Sequence, residues 1–212
     1  MKPIIGIMTR PELSAEKNDM MGVYDDLRNS IIQSGGIPIG ILPLNVGLND
    51  FNEELFSLIK KLDGIIFQGG DSFYKYEYEC LKYAHEQSIP TLGICLGMQM
   101  MGCLFNGDLI KISNCNHKQK NKKYVHDIFI KKDSLLYLIF KTDRIKVNSR
   151  HKDTIINPDL EITAISTDGL IEALEDKSKK FFLGVQWHPE SMTSYDILES
   201  RLFDYFVNIC RK

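Results

Sequence analysis

Cys95 stands between two glycines in the segment Gly93-Ile94-Cys95-Leu96-Gly97. The apolar run before it, Thr91 to Ile94, is typical of a short buried strand, and a helical pattern begins at Leu96. A cysteine at such a strand-to-helix turn needs small neighbours, because a Cβ there would clash with the tightly folded backbone. The helix N-terminus also stabilises the thiolate, which is the form of cysteine that attacks a carbonyl carbon. The pattern predicts a nucleophilic cysteine; the alternative is a buried structural cysteine.

A second segment, Val185 to Glu190, contains groups that could activate a thiol. His188 and Glu190 are two residues apart, so their side chains share one side of an extended backbone, which Pro189 between them favours. A carboxylate beside an imidazole fixes the ring tautomer and stabilises the imidazolium that forms when the ring takes a proton. Alone, the pattern also fits an ordinary turn at a strand end. Together with Cys95 it completes a set of nucleophile, base and orienting carboxylate.

The elements that must position these groups alternate between strand and helix in the first half of the chain. Short apolar runs predict strands at 4–8, 37–42, 64–67 and 91–94, and apolar residues at helical spacing predict helices at 23–34, 51–62, 78–85 and 96–105. This alternation favours a parallel sheet covered by helices. Reactive groups in such sheets gather at the carboxyl ends of the strands, where Cys95 lies.

The second half of the chain has a different pattern. Apolar or partly alternating segments predict strands at 125–130, 160–165, 170–174 and 181–187, with a turn at Asp168-Gly169, and the chain continues into an amphipathic helix at 195–209. We therefore expect an α/β fold with a mainly parallel central sheet and a small antiparallel addition. We expect it to form a single domain over residues 1–212.

Composition and charge argue against several classes of protein. The 212 residues are 43% hydrophobic and 25% charged, with a formal net charge of −2, which are ordinary values for a soluble globular protein. The one basic run, 118–123, is typical of a solvated loop, and no apolar run has membrane-spanning length or the form of a signal peptide. We therefore expect no nucleic-acid or membrane partner.

The cysteines are odd in number and have no Cys-x-x-Cys spacing. This usage favours a reducing cytoplasm and gives no zinc pattern, so we expect a cytoplasmic protein with no metal or other cofactor. The five cysteines are Cys80, Cys95, Cys103, Cys115 and Cys210.

The segments Gly93 to Gln99 and Gly184 to Glu190 resemble the two signature segments of class I glutamine amidotransferase domains. Further segments resemble the gamma-glutamyl hydrolase-like branch, of peptidase C26 type, whose best-known enzymes are the gamma-glutamyl-gamma-aminobutyrate hydrolases. These further segments are Lys2 to Ile7, Gly35 to Pro38, Val147 to His151, Ser166 to Gly169 and the segment around Glu172. The resemblance covers nearly the whole chain and implies a flavodoxin-like three-layer α/β/α sandwich.

The resemblance also implies roles for individual residues. Cys95 would be the nucleophile that attacks a γ-glutamyl amide, His188 the base and then the acid, and Glu190 the group that orients the histidine. The backbone N–H groups of Gly70 and Leu96 would form the oxyanion hole. Since Gly70 follows a predicted strand, its amide can face a developing oxyanion; without the resemblance, a plain loop fits Gly69-Gly70 equally well.

Three more residues match family positions that hold or surround the glutamyl part of the substrate: Gln99, Ser149 and His151. Taken alone, His151 fits a solvated loop. The sequence departs from the family after His151, where Lys152 and Asp153 replace a histidine and a glutamine. The connection from Gly70 to the next helix is also short, so the specificity for the released amine stays open.

We predict a cysteine hydrolase that cleaves the γ-amide of a small γ-glutamyl compound, either a γ-glutamyl amine or glutamine, through a γ-glutamyl thioester on Cys95. The alternative is a glutaminase subunit that supplies ammonia to a separate synthetase partner, and the lack of a synthetase domain within these 212 residues favours the hydrolase. A third interpretation, a binding module with a degenerate site, conflicts with the complete set of reactive groups. The oligomeric state is open, with a homodimer as one choice.

Overall fold

The computed structural model describes residues 1–44, 47, 50–113 and 117–212. Cys115 of the cysteine set lies outside this part of the chain, and the other four cysteines are free thiols. The strands are β1 (Ile4–Met8), β2 (Arg10–Leu13), β3 (Asp19–Gly22), β4 (Ile37–Ile41), β5 (Gly64–Phe67), β6 (Thr91–Ile94), β7 (Asp108–Lys111), β8 (His126–Ile130), β9 (Arg144–Val147), β10 (Asp153–Ile156), β11 (Glu161–Ser166), β12 (Ile171–Glu175) and β13 (Phe182–Val185). The helices are α1 (Asp25–Gln33), α2 (Glu54–Ile59), α3 (Lys75–Glu86), α4 (Leu96–Leu104), α5 (Leu135–Phe140) and α6 (Ile197–Ile209).

Nine of these strands form one sheet in the order β4-β1-β5-β6-β13-β12-β11-β8-β9. The strands from β4 to β13 are parallel, and the remaining pairings are antiparallel. The predicted parallel sheet with an antiparallel addition is therefore confirmed, and the addition continues the same sheet. Although β13 follows antiparallel β12 along the chain, it lies parallel beside β6, with Val185 opposite Ile94. This pairing places the carboxyl ends of β6 and β13 side by side, and the two signature segments continue from these strands.

Helices cover both faces of the sheet. Side chains alternate across a strand, so Ile66 of β5 joins one hydrophobic core while its neighbours Ile65 and Phe67 join the other. The first core includes α1, α5 and α6, and the second includes α2, α3 and α4. The predicted α/β/α layering is confirmed. No helix in the described ranges is both long and apolar enough to cross a membrane.

Two small sheets lie outside the main one: β2 pairs with β3, and β7 with β10. The sequence analysis did not predict these strands, nor β9 and α5. The residues of β7 are all exposed, so this strand has no buried face to produce an apolar pattern.

The turn that carries Cys95 has the sharp backbone predicted for it. Cys95 has φ +53° and ψ −102° and precedes the first residue of α4. A Cβ on Gly97 would lie 2.1 Å from the carbonyl oxygen of Phe67, and a Cβ on Gly93 would lie 2.7 Å from the carbonyl carbon of Gly97. Since backbone atoms rather than flexible side chains occupy this space, the two glycines allow α4 to approach β5 and β6 closely.

We expect Gly97→Ala to lower the free energy of unfolding by about 2 kcal/mol or more, because the added methyl group must displace the backbone at Phe67. Gly22→Ala is the matched control: its Cβ would lie 3.2 Å from the flexible side chain of Glu12 and 4.0 Å from the carbonyl oxygen of Arg10, which is an ordinary contact, so a change within about 0.5 kcal/mol is expected. Urea denaturation of the two variants and the wild type measures this difference. Equal stability of the Gly97 and Gly22 variants would contradict the close-contact explanation.

Candidate active site

Cys95 and His188 meet at the carboxyl ends of β6 and β13. The N–H of Cys95 donates to the carbonyl oxygen of Val185 at 2.8 Å, which extends the pairing of the two strands up to the cysteine. A Cβ on Gly69, at the end of the neighbouring β5, would lie 2.7 Å from Cε1 of His188 and 3.5 Å from Cβ of Cys95. His188 and Cys95 therefore both lie next to Gly69, which has no side chain.

Glu190 orients the His188 ring, with 2.7 Å between Nδ1 of the histidine and Oε1 of the carboxylate. The local backbone differs from the prediction: residues Pro189–Ser191 form a 3-10 turn instead of an extended segment. The contact between Glu190 and His188 still forms, because the turn brings the carboxylate back to the imidazole ring. Asn148 holds the backbone on the other side, since its Oδ1 accepts from the His188 N–H at 2.9 Å and its Nδ2 donates to the His188 carbonyl at 2.7 Å.

The surroundings of His188 favour its charged form. Burial alone would lower the pKa of His188, but the Glu190 carboxylate and the Cys95 sulfur outweigh it and raise this pKa well above its ordinary value of 6.5. Gln186 also contacts the sulfur, with its Nε2 3.6 Å from Sγ. These surroundings favour the imidazolium form of His188 beside the Cys95 sulfur, and a histidine in this position can act as the base for a cysteine nucleophile.

The oxyanion hole assigned to the N–H groups of Gly70 and Leu96 stays a prediction. The N–H of Leu96 is at the start of α4, where amides have no carbonyl partner within the helix. Gly70 follows β5, whose neighbour in the sheet is β6. Arg10 fills the space behind Gly70, because a Cβ there would lie 2.2 Å from Nε of the arginine.

Arg10 fixes this loop through a buried ion pair. Its Nη1 lies 2.6 and 2.7 Å from the two carboxylate oxygens of Glu77 on α3, and its Nη2 donates to the carbonyl of Ser72. Glu77 is fully buried and Arg10 is 5% exposed. The short connection after Gly70 is thus held against α3.

Cys95, His188, Glu190 and Gly70 line a cleft of about 520 Å³. Arg150 and Lys120 provide positive charge along it. The remaining residues that line the cleft are Tyr24, Asp25, Asp26, Asp71 and Ser191. The cleft therefore combines room for a small molecule with charges of both signs and the thiol of Cys95.

The other predicted substrate residues are buried and are not among the residues that line this cleft. Gln99 is 4% exposed, and its Nε2 donates to the carbonyl of Asp153 at 3.0 Å and to Oε1 of Gln186 at 3.2 Å. Ser149 is fully buried and donates to the carbonyl of His117 at 2.8 Å. His151 is 4% exposed, and its Nε2 lies 3.2 Å from Nδ1 of His117. Their role in substrate binding stays a prediction.

A family model described as Peptidase C26 matches residues 74–190, which is more than half of the chain and includes Cys95, His188 and Glu190. The chain belongs to the Peptidase C26 family. As a member of this family, it is a hydrolase that acts on amide C–N bonds.

Two relatives and one solved structure illustrate what this Peptidase C26 protein is similar to. A glutamine amidotransferase-like protein of Rickettsia prowazekii is 31% identical, over 92% of this chain and 94% of the relative. The gamma-glutamyl-gamma-aminobutyrate hydrolase PuuD of Escherichia coli is 28% identical, over 99% of this chain and 94% of the relative. The CTPS glutaminase domain of Trypanosoma brucei, solved with bound acivicin, has a TM-score of 0.70 at 19% identity, covering 98% of this chain and 93% of that one. This structural likeness shows the shared fold.

Several residues that shape the site of this Peptidase C26 protein were not singled out in the sequence. Asn148 and Gln186 lie within the segments that carry the resemblance, yet their spacing from Cys95 and His188 gives no sign of contact. Arg10 and Glu77 are 67 residues apart, so their pairing depends on the tertiary fold. Arg150 directly follows Ser149 in sequence and lines the cleft, whereas Ser149 does not.

The raised pKa of His188 links the site to stability. A group whose pKa is higher in the folded than in the unfolded state stabilises the fold fully below the unfolded value, here about 6.5, and this contribution is lost as the pH rises through the folded value. We expect Glu190→Gln to lower the free energy of unfolding by about 1–3 kcal/mol at pH 6 and by progressively less at pH 7, 8 and 9, since it removes the charge that raises the pKa.

Urea denaturation at the four pH values measures the effect. Glu16→Gln, which changes an exposed carboxylate in the turn between β2 and β3, is the control and should show no such trend. A loss of stability in the Glu190 variant that is constant from pH 6 to pH 9 would contradict the interaction between Glu190 and a protonated His188.

Proposed function

We propose that this chain, acting as one catalytic unit over residues 1–212, is a cysteine hydrolase that cleaves the γ-amide bond of a small γ-glutamyl compound. The observation that carries the proposal is the convergence of Cys95, His188 and Glu190 on one open cleft. The name of the relative PuuD supports the substrate class, since it describes a hydrolase of a γ-glutamyl amine.

The proposed reaction begins with the thiolate of Cys95, whose proton His188 holds. The sulfur attacks the γ-carbonyl carbon, and the carbonyl electrons move to the oxygen. As the tetrahedral intermediate collapses, His188 donates its proton to the departing amine and a γ-glutamyl thioester remains on Cys95. The neutral His188 then takes a proton from water, which attacks the thioester and releases glutamate and the thiolate.

Backbone amides would stabilise the oxyanion in both halves of this reaction. Leu96 directly follows Cys95, and Gly70 lines the same cleft. Their N–H groups would bind the oxyanion without reorganising as negative charge develops. The ion pair of Arg10 and Glu77 supports this role, because it holds the Gly70 loop in place from behind.

The charges of the cleft fit the two ends of a glutamyl group, which carries an α-carboxylate and an α-ammonium. Arg150 is the best partner for the carboxylate: its Nη1 donates to Oγ of Ser191 at 3.0 Å, and its buried Nε has no hydrogen-bond partner in the part of the chain described. Asp25, Asp26 and Asp71 offer negative charge for the ammonium. Gln99, Ser149 and His151 would act from behind, by holding the residues that face the substrate.

We expect Cys95→Ala to lower the turnover of γ-glutamyl amides by about 10⁴-fold or more without loss of folding, since it removes the nucleophile. The assay is a screen of γ-glutamyl amines, glutamine and γ-glutamyl peptides with the isolated chain. Cys103→Ala, which removes a thiol within α4, the helix that Cys95 precedes, should retain activity. Retained turnover in the Cys95 variant would exclude the proposed mechanism.

The same screen separates the hydrolase from a subunit that supplies ammonia to a synthetase. A free-standing hydrolase turns over its substrate as an isolated chain, whereas a dependent subunit gains activity only with its partner. Covalent labelling of Cys95 by an electrophilic glutamine analogue, located by mass spectrometry, reports on the nucleophile in either case.

We expect Arg150→Gln to raise KM for γ-glutamyl substrates by about 10-fold or more with a smaller change in kcat, because a charge-assisted bond to the α-carboxylate would be lost. Arg144→Gln is the matched control, since Arg144 pairs with Asp127 at 3.0 Å on the surface and is not part of the cleft lining. Steady-state kinetics of both variants measures the effect. An unchanged KM in the Arg150 variant would place the α-carboxylate elsewhere.

A further inference from the structure

Three histidines and a glutamate converge behind the cleft: His117, His126, His151 and Glu172. One nitrogen of each ring and one carboxylate oxygen all lie within 4.8 Å of one another. The four residues come from separate segments: His117 follows β7, His126 begins β8, His151 lies between β9 and β10, and Glu172 is in β12. Nothing in the proposed reaction uses this cluster as a group.

The outer nitrogen of each ring faces an oxygen acceptor. Nε2 of His117 lies 2.9 Å from the carboxylate of Asp168, Nδ1 of His151 lies 3.0 Å from the carbonyl of Asp153, and Nδ1 of His126 lies 3.3 Å from the carbonyl of Asp127. These acceptors favour the tautomer in which the outer nitrogen of each ring carries the hydrogen. In that tautomer the lone pair of the other nitrogen points into the cluster, where Nδ1 of His117 also lies 3.2 Å from Oγ of Ser149. Such outer contacts are a general feature of histidines that bind metals.

Four of the six distances between the inner atoms are close to the edges of a tetrahedral site. Oε1 of Glu172 lies 3.4 Å from Nε2 of His126, 3.6 Å from Nε2 of His151 and 3.7 Å from Nδ1 of His117. The inner nitrogens of His117 and His151 are 3.2 Å apart. A regular tetrahedron around zinc, with bonds of about 2.0–2.1 Å, has edges of about 3.3–3.4 Å, so these four distances need little adjustment. The two remaining distances, from His126 to His117 and to His151, are at most 4.8 Å and would shorten when an ion binds.

The Glu172 carboxylate is the strongest sign that the cluster holds a cation. Its side chain is fully buried, and neither oxygen accepts a hydrogen bond from a described residue. The inner Nε2 of His126 is also buried without a hydrogen-bond partner in the described residues. A buried carboxylate without donors costs several kcal/mol unless it is paired or binds a metal. A divalent cation among these four atoms would remove that cost.

We propose that His117, His126, His151 and Glu172 bind one divalent transition-metal ion of the zinc class in a closed tetrahedral site. Four protein ligands leave no open position for water or substrate, so the site is structural rather than catalytic. The ion would join β8, β12 and the segments after β7 and β9. The segment after β9 also contains Asn148, which holds the backbone of His188.

The test begins with the metal content of the full chain, purified without chelators and dialysed against Zn²⁺ and then against metal-free buffer. We expect about one equivalent of zinc by elemental mass spectrometry and a lower melting temperature after removal by a strong chelator. Replacement with Co²⁺ should give the intense visible absorption between about 500 and 650 nm that accompanies tetrahedral coordination. These measurements use the wild-type chain, so they do not depend on the folding of a variant.

Variants then locate the ion. Glu172→Gln and His126→Ala should each abolish stoichiometric binding, and Asp168→Ala should weaken Co²⁺ binding by about 10–100-fold, because it releases the outer nitrogen of His117. His85→Ala is the matched control, since His85 pairs with Asp176 outside the cluster. Cys95→Ala is a second control, which keeps the ion if the nucleophile is not a ligand. Both controls should bind one equivalent.

The opposite results would overturn the proposal. A wild-type chain that binds less than a tenth of an equivalent of either ion, or that gives no tetrahedral Co²⁺ spectrum, has a cluster held by shared protons. Binding that persists unchanged in Glu172→Gln and His126→Ala, or that is lost in Cys95→Ala, places the ion elsewhere. Since none of these readouts uses turnover, they are independent of the hydrolase activity.

Discussion

The pairing of β13 with β6 is the interaction on which the site depends. It is parallel, although β13 reaches it from an antiparallel neighbour, and it continues past the end of β6 through the bond from the Cys95 N–H to the Val185 carbonyl. Cys95 and His188 are 93 positions apart, yet each follows one of these two strands. A shift of one residue in this register would turn alternate side chains to opposite faces of the sheet. The relative position of Cys95 and His188 therefore depends on the backbone hydrogen bonds between β6 and β13.

Buried polar residues hold Cys95, His188 and Gly70 in the positions that the strands give them. Asn148 holds both backbone groups of His188, Gln186 contacts the Cys95 sulfur, and Arg10 pairs with Glu77 behind Gly70. Each of these groups is nearly or fully buried, so each would be costly without its partner. A network of this kind keeps the thiol, the imidazole and the backbone amides in place before a substrate arrives.

The sequence predicted the elements that have a strong local pattern. The strands at Ile4–Met8, Gly64–Phe67 and Thr91–Ile94 are uniformly apolar and were predicted with their observed bounds, and the glycines around Cys95 indicated the sharp turn. The exposed strand β7 has no such pattern and was missed. The extended backbone predicted for His188 and Glu190 was wrong, because Pro189 also suits the first position of a 3-10 turn.

Contacts between distant residues could not be predicted from spacing. His117, His126, His151 and Glu172 are separated by 9, 25 and 21 positions, so no short ligand pattern marks them, and the analysis of spacing gave no metal site. His151 was assigned to the substrate by resemblance, and that role stays a prediction; its contacts with His117 and Glu172 gave no sign in the sequence. Topology joins these residues, since the sheet order sets β8 and β12 close together on either side of β11.

The position of β13 in the sheet also bears on how the protein is made. Chains fold from the N-terminus as they are synthesised, and β1, β4, β5 and β6 can pair with one another early. Until residues 182–185 have left the ribosome, the outer edge of β6 has no partner and exposes an apolar strand next to a free thiol. About 90 residues are thus synthesised between Cys95 and His188, and during this interval the open edge of β6 can pair with another strand.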